Sequence, residues 1–261
     1  MVQRLAVVTG ASSGIGAATA ELLGAQGWRV VLVARGRPAL EQVAARIAAV
    51  GPAPAVEPLD GGDADAVLAM AARVLDRYGV PGALVNSAGA GEWRWLEDTP
   101  PDDMERMLAA PFRSAYHHTY AFLRPMLEQR AGVIVHVGSP AAYLPWPSTA
   151  AYTCSRWALR GLHEALRQDL HGTGVRSCHA VFSTVSSAYW DHNPGAEAIR
   201  PGLGRLLRTL PSTEAAEAIV RAIHRPRDEV VLPGVLRAAM LAHHVVPGPL
   251  RWLTRVTGRR R

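Results

Sequence analysis

The stretch Thr9-Gly10-Ala11-Ser12-Ser13-Gly14-Ile15-Gly16 combines residue types that can hold phosphate through backbone groups alone. Gly10 lets a chain turn sharply off a strand, Gly14 lets backbone approach a pyrophosphate, and Gly16 lets the following helix pack closely on a sheet. The free N–H groups and positive dipole end of that helix then face the phosphates, with Ser12, Ser13 and Ile15 completing the cradle. The motif carries weight only where it follows a strand and opens a helix. Arg4 to Val8 is a short apolar run and Gly14 to Gln26 has apolar residues at helical spacing, so that context is met. A site for an unphosphorylated ribose places a carboxylate at the end of the second strand, about 20 residues on. Ala34-Arg35-Gly36-Arg37 stands there instead. A guanidinium fork suits a 2′-phosphate in charge and geometry, so Arg35 makes NADP(H) the expected cofactor.

The elements that must position this loop follow an alternating order. Val30 to Val33, Ala55 to Leu59, Ala83 to Val85, Val133 to Val137, Val175 to Phe182 and Val230 to Leu232 are further apolar runs. Between them lie helical patterns over Pro38 to Val50, Ala64 to Arg77, Asp102 to Gln129, Ala150 to His171 and Ser212 to His224. Strands apolar on both faces, alternating with helices, indicate a parallel sheet covered on both sides. The expected fold is α/β: a single Rossmann-type, doubly wound parallel sheet of about seven strands. The expected organisation is one domain over 1–235 and a basic C-terminal extension over 236–261.

Composition narrows the function classes. The chain has 261 residues, 49% hydrophobic and 19% charged, which excludes a disordered or fibrous protein. Two cysteines and no clustered Cys/His spacing exclude a disulfide framework and a zinc site. No apolar run reaches the roughly 18 residues of a spanning helix, and MVQRLAVVTG lacks a signal-peptide pattern, so the expected setting is the cytoplasm. All 28 basic residues are arginine. Six of them follow Glu229, with no acidic residue among them, and the remaining 22 balance the 22 carboxylates. A neutral body argues against a nucleic-acid-binding face.

With the strands in that order, the chain resembles the short-chain dehydrogenase/reductase family from about residue 4 to residue 232. The family's glycine turn is matched by Thr9 to Gly16, its aspartate after the third strand by Asp60, and its Asn-Asn-Ala-Gly by Asn86-Ser87-Ala88-Gly89. Its serine after the fifth strand corresponds to Ser139 and its tyrosine, thirteen residues on, to Tyr152. The resemblance implies that Asp60, Asn86, Ala88, Gly89 and Ser187 contact the cofactor. It also implies that Tyr152 moves the proton and Ser139 holds the substrate oxygen while a hydride crosses between nicotinamide and carbon. A phenol working as acid and base near neutrality needs about 4 kcal/mol of help, which one cation about 4 Å away supplies at an effective dielectric near 20.

The family's cation is a lysine four residues after the tyrosine; this chain has Arg156. Spacing i to i+4 keeps Arg156 beside Tyr152, and arginine retains charge and donors for the ribose, but it does not release a proton. Pro111 takes the place of the family's asparagine on the long helix, where proline would itself produce a kink. After the sixth strand, Phe182-Ser183 replaces Pro-Gly. These departures leave three readings: a carbonyl/alcohol oxidoreductase, a dehydratase or isomerase on the same fold, and a cofactor-binding protein without catalysis.

Trp93, Trp95, Tyr143, Trp146 and Trp190 lie on segments this fold places around the nicotinamide, and together they could line a pocket for a bulky hydrophobic substrate. His117-His118 and His243-His244 lack further ligands at metal spacing, and Cys154 is read as packing. The resemblance implies a homodimer or homotetramer joined through helices 102–129 and 150–171. From Leu236 to Arg261 apolar residues alternate with arginines around Trp252, a pattern that suits peripheral contact with an anionic membrane as well as packing on a subunit.

Overall fold

The computed structural model describes residues 4–89, 91–187 and 207–257. Its sheet contains β1 (Leu5–Thr9), β2 (Arg29–Ala34), β3 (Ala55–Pro58), β4 (Ala83–Asn86), β5 (Gly132–Val137) and β6 (Val175–Phe182). A separate two-residue pair, β7 (Val185–Ser186) and β8 (Leu210–Pro211), precedes the edge strand β9 (Glu229–Leu232). All neighbours in the order β3-β2-β1-β4-β5-β6-β9 pair in parallel. The order reverses beside β1, so the crevice of a doubly wound sheet opens at the C-terminal ends of β1 and β4.

Helices α1 (Gly14–Ala25), α2 (Arg37–Ala48), α3 (Ala64–Tyr78), α4 (Pro101–Leu108), α5 (Ser114–Gln129), α6 (Ala150–Asp169) and α7 (Ser212–His224) cover both faces. Alternate residues of each strand divide between two cores. Val8, Leu32 and Val135 meet α1, α2 and α7 through Leu23, Ile47 and Ile219. Val7, Val31, Leu84 and Ile134 meet α3, α5 and α6 through Met70, Phe122 and Leu166. Asp63 caps α3 by accepting from the Ala66 N–H at 3.1 Å, one of the orphan donors at a helix start.

The helix expected over 102–129 is present as an unbroken helical stretch, but it is not α-helical throughout. A π-helical turn, Ala109–Arg113, separates α4 from α5 and contains the buried Pro111. Proline has no N–H for the i−4 carbonyl, and the wider π turn accommodates the missing bond at the position where the sequence predicts a kink. The C-terminal segment forms α8 (Gly234–Val245) and α9 (Pro247–Thr257). Leu236 and Met240 of α8 pack on Leu144 and Val181 of the sheet domain. Among the described residues no helix is long and apolar enough to cross a membrane.

Candidate active site

The glycine turn is shaped first by its neighbours in the protein. The Thr9 hydroxyl accepts from the Ser87 and Ala88 N–H groups at 3.1 and 3.0 Å, joining the ends of β1 and β4. A side chain at Gly10, whose φ is +65°, would meet the Ser87 carbonyl at 2.7 Å, and one at Gly16 would meet the Gly10 carbonyl at 2.3 Å. Gly10 and Gly16 therefore serve close backbone packing, while a Cβ at Gly14, whose φ is +55°, would lie 3.1 Å from Cβ of Ser187. Ser13 occupies the N-cap of α1 without bonding its N–H groups, Ser12 is half-buried, and Ile15 packs against the core. Those N–H groups stay uncapped by a side chain, which fits a dinucleotide phosphate.

Arg35 is exposed at the end of β2 and has no ion pair among the described residues, whereas Arg37 pairs with Glu41 at 3.5 Å. Asp60 is exposed and accepts from the Gly62 N–H at 2.8 Å. Asn86 turns inward instead: its amide nitrogen donates to Thr119 at 3.2 Å and lies 3.3 Å from Nδ1 of His136. The expected contact of Asn86 with the cofactor thus has a competing engagement in the protein interior.

Tyr152 and Arg156 sit one turn apart on α6 and are both buried, 7% and 6% exposed. The guanidinium lies 4.9 Å from the centre of the Tyr152 ring, stacked on its face. The loop after β4 closes over the pair. A Cβ at Gly89 would lie 3.0 Å from the Arg156 guanidinium, and one at Gly91 would lie 2.4 Å from the Tyr152 ring. Trp93 follows at 6.2 Å from that ring, with Trp146 edge-on to Trp93 at 5.2 Å. Ser139 is buried and its oxygen accepts from the Ala141 N–H at 3.2 Å, which leaves its proton free to donate. A cleft of about 280 Å³ lies alongside, lined by Trp95, Leu96, Pro145, Trp146, Pro147 and Thr153.

Of the five aromatic residues, Trp93 lies beside Tyr152 and meets Trp146, which lines the cleft together with Trp95, and Tyr143 is engaged elsewhere. Its hydroxyl bonds Nδ1 of His179 at 2.9 Å and Glu229, and Arg160 stacks on its ring at 3.9 Å. Burial, then the bond to Glu229, raise this phenol above its ordinary range. Trp190 lies outside the described residues. Cys154 is exposed on α6 rather than packed, because its position turns away from the face that holds Tyr152 and Arg156.

Sequence reasoning missed a polar layer beneath the site. His136, His163 and His179 are buried, with ring centres 6.3 and 5.5 Å apart in that chain order. Burial holds His136 down to about 3, and burial with neighbouring positive charge keeps His179 far below the usual imidazole range. The signal was present as a polar residue inside each apolar run, His136 in Gly132–Val137 and His179 in Val175–Phe182.

A sequence profile described as short chain dehydrogenase matches residues 4–193. The chain is 34% identical over 235 residues to "Probable oxidoreductase EphD" of Mycobacterium tuberculosis, covering 85% of this chain and 40% of that protein. The chain thus spans well under half the length of this relative. A metagenomic short-chain oxidoreductase solved with NADP is 30% identical with a TM-score of 0.76, over 88% of this chain and 97% of that one. A short chain dehydrogenase/reductase of Burkholderia phymatum solved with NAD is 26% identical with a TM-score of 0.85, over 97% of both chains. With the doubly wound sheet, the glycine turn and the Ser139–Tyr152–Arg156 segment in place, the chain belongs to the short-chain dehydrogenase/reductase family of oxidoreductases.

Proposed function

We propose that the protein is an NADP(H)-dependent oxidoreductase that interconverts a carbonyl and a secondary alcohol on a bulky hydrophobic small molecule. The observation that carries this reading is the buried Tyr152–Arg156 pair with Trp93 beside the Tyr152 ring and Trp146 edge-on to Trp93. Bound at the uncapped start of α1, the cofactor supplies or takes the hydride. Arg35, free of ion pairs among the described residues, supports a 2′-phosphate and so NADP(H) over NAD(H). Tyr152 gives its proton to the substrate oxygen in reduction and takes it back in oxidation. Ser139 donates a hydrogen bond to the same oxygen, and Arg156 offers buried donors to the nicotinamide ribose. Asp60, Ala88, Gly89 and Ser187 line the cofactor side, and the tryptophans exclude water from the reacting carbon.

Tyr116 and Tyr120 on α5 and Trp157 on α6 are exposed, which supports a homodimer or homotetramer built on these helices. Arg237, Arg251 and Arg255 are exposed beside Leu241, Val245 and Trp252, which supports contact of α8 and α9 with an anionic lipid surface. The test of the activity is NADPH oxidation with a bulky aromatic diketone such as 9,10-phenanthrenequinone. Tyr152→Phe should lower turnover at least about 100-fold and leave NADPH binding, read by fluorescence titration, unchanged. Full turnover by Tyr152→Phe would remove Tyr152 from the chemistry. Conversion of a substrate with no change in NADPH absorbance would favour dehydration or isomerisation instead.

A further inference from the structure

The geometry points to His179 as the residue that positions Ser139, a role that rests on the assignment of Ser139 and Tyr152 made above. Ser139 lies near the start of the loop, residues 138–149, that leads from β5 to α6, and the first half of that loop touches His179 at two places. At the near end, Gly138 extends the pairing of β5 with β6 through its N–H to the Ala180 carbonyl at 2.8 Å. A Cβ at Gly138 would lie 2.0 Å from Nε2 of His179, so the imidazole edge rests directly under the residue before Ser139. Four residues past Ser139, the Tyr143 hydroxyl bonds Nδ1 of the same ring at 2.9 Å.

The hydrogen-bond directions fix how the ring is held. The Tyr143 hydroxyl gives its single proton to Glu229 of β9, so its oxygen is left to accept, and Nδ1 of His179 is the donor. Nε2 then carries a lone pair rather than a proton, and this buried acceptor meets no hydrogen-bond donor among the described residues, which is tolerated more readily than an orphaned N–H. The ring has little freedom. His179 pairs in register with His136 on one side and Glu229 on the other, stacks on His163, and is fully buried. Tyr143 is held in turn by Arg160, which also donates to the Ala142 carbonyl at 3.0 Å, and Trp157 donates to Ala141 at 3.1 Å. A neutral imidazole braced by β9 and α6 thus sets the height of the Ser139 loop above the sheet. A misplacement of about 1 Å can cost about 100-fold in rate.

The test is a double-mutant cycle on Gly138→Ala and His179→Ala, with Tyr152→Phe and wild type run alongside, using NADPH and 9,10-phenanthrenequinone. Each single substitution should lower kcat by about 10- to 100-fold with the NADPH Kd unchanged. The pair should be no slower than the worse single, because the methyl group added at position 138 occupies space the imidazole has left. Multiplying effects, or a wild-type kcat in either single variant, would overturn the role of His179 without touching that of Tyr152. Retained turnover in Tyr152→Phe would instead sink the site assignment. If His179→Ala does not fold, Tyr143→Phe decides: a lower kcat at unchanged KM is expected, and an unchanged kcat overturns the proposal. Independently of turnover, 15N-histidine NMR should place the His179 proton on Nδ1 in the wild-type protein and show a shift of that resonance in Tyr143→Phe. A proton on Nε2 overturns the proposal as well.

Discussion

A cation beside a phenol can act along the hydroxyl or across the ring, and Arg156 lies across the ring of Tyr152. A planar guanidinium stacks where an ammonium does not, so the swap from the family's lysine changes geometry as well as chemistry. The consequence at the phosphate end is more direct. Arg35 is the exposed guanidinium at the end of β2, while Arg37 is engaged by Glu41. Arg35→Asp should weaken NADPH binding by about 10- to 100-fold, the loss expected for charged hydrogen bonds, and leave NADH binding equal or tighter. Parallel fluorescence titrations with the two cofactors measure this, and an unchanged preference would assign the 2′-phosphate to another residue. The positions of Gly10, Gly14 and Gly16 could be read from residue types because backbone conformation and close approach are local demands. Gly91 escaped notice, since its constraint comes from the Tyr152 ring, far along the chain.

Among the elements, α6 organises the site. Tyr152, Arg156 and His163 fall on its sheet-facing stripe by helical spacing, and all three are buried. The π turn at Ala109–Arg113 shows how Pro111 is accommodated without ending the helical segment. The C-terminal helices divide their two faces clearly. Leu236 and Met240 point into the domain, whereas Leu241 and Val245, one turn apart, are 66% and 71% exposed, and Trp252 is 64% exposed. Burying such a face beside arginines stabilises contact with an anionic bilayer by both the hydrophobic and the electrostatic contribution. The protein should therefore sediment with phosphatidylglycerol vesicles and not with phosphatidylcholine vesicles. Replacing Leu241 and Val245 by Glu, at exposed positions that the fold does not need, should abolish the sedimentation. Binding that survives this change would exclude these helices as the membrane contact.

Across the whole molecule, the sheet register lines up Thr9, Asn86, His136, His179 and Glu229 on adjacent strands. Such a buried polar layer has a cost at low pH. Burial lowers His118 to about 4 and His136 to about 3, both below the unfolded imidazole value of about 6.5. The unfolded chain then binds more protons, so stability is highest above that value and falls as pH drops toward the folded ones. At pH 5 each histidine should cost about 2 kcal/mol relative to neutral pH, a difference that urea denaturation at pH 7.5 and 5 reads directly. His136→Asn should reduce the dependence by the share of that one histidine, with His118 still contributing; equal stability of the wild-type protein at both pH values would contradict the burial of these rings. The alternation of apolar runs with helices, the glycine turn and the Ser139–Tyr152 spacing were all legible along the chain, because periodicity and backbone demands act over a few residues. The stacking of Arg156 on Tyr152, the departure of Tyr143 from the aromatic cluster and the bracing of the Ser139 loop by His179 were not. Each depends on which strands become neighbours and on which side chains share a buried volume. Those are long-range outcomes of packing that no local pattern encodes.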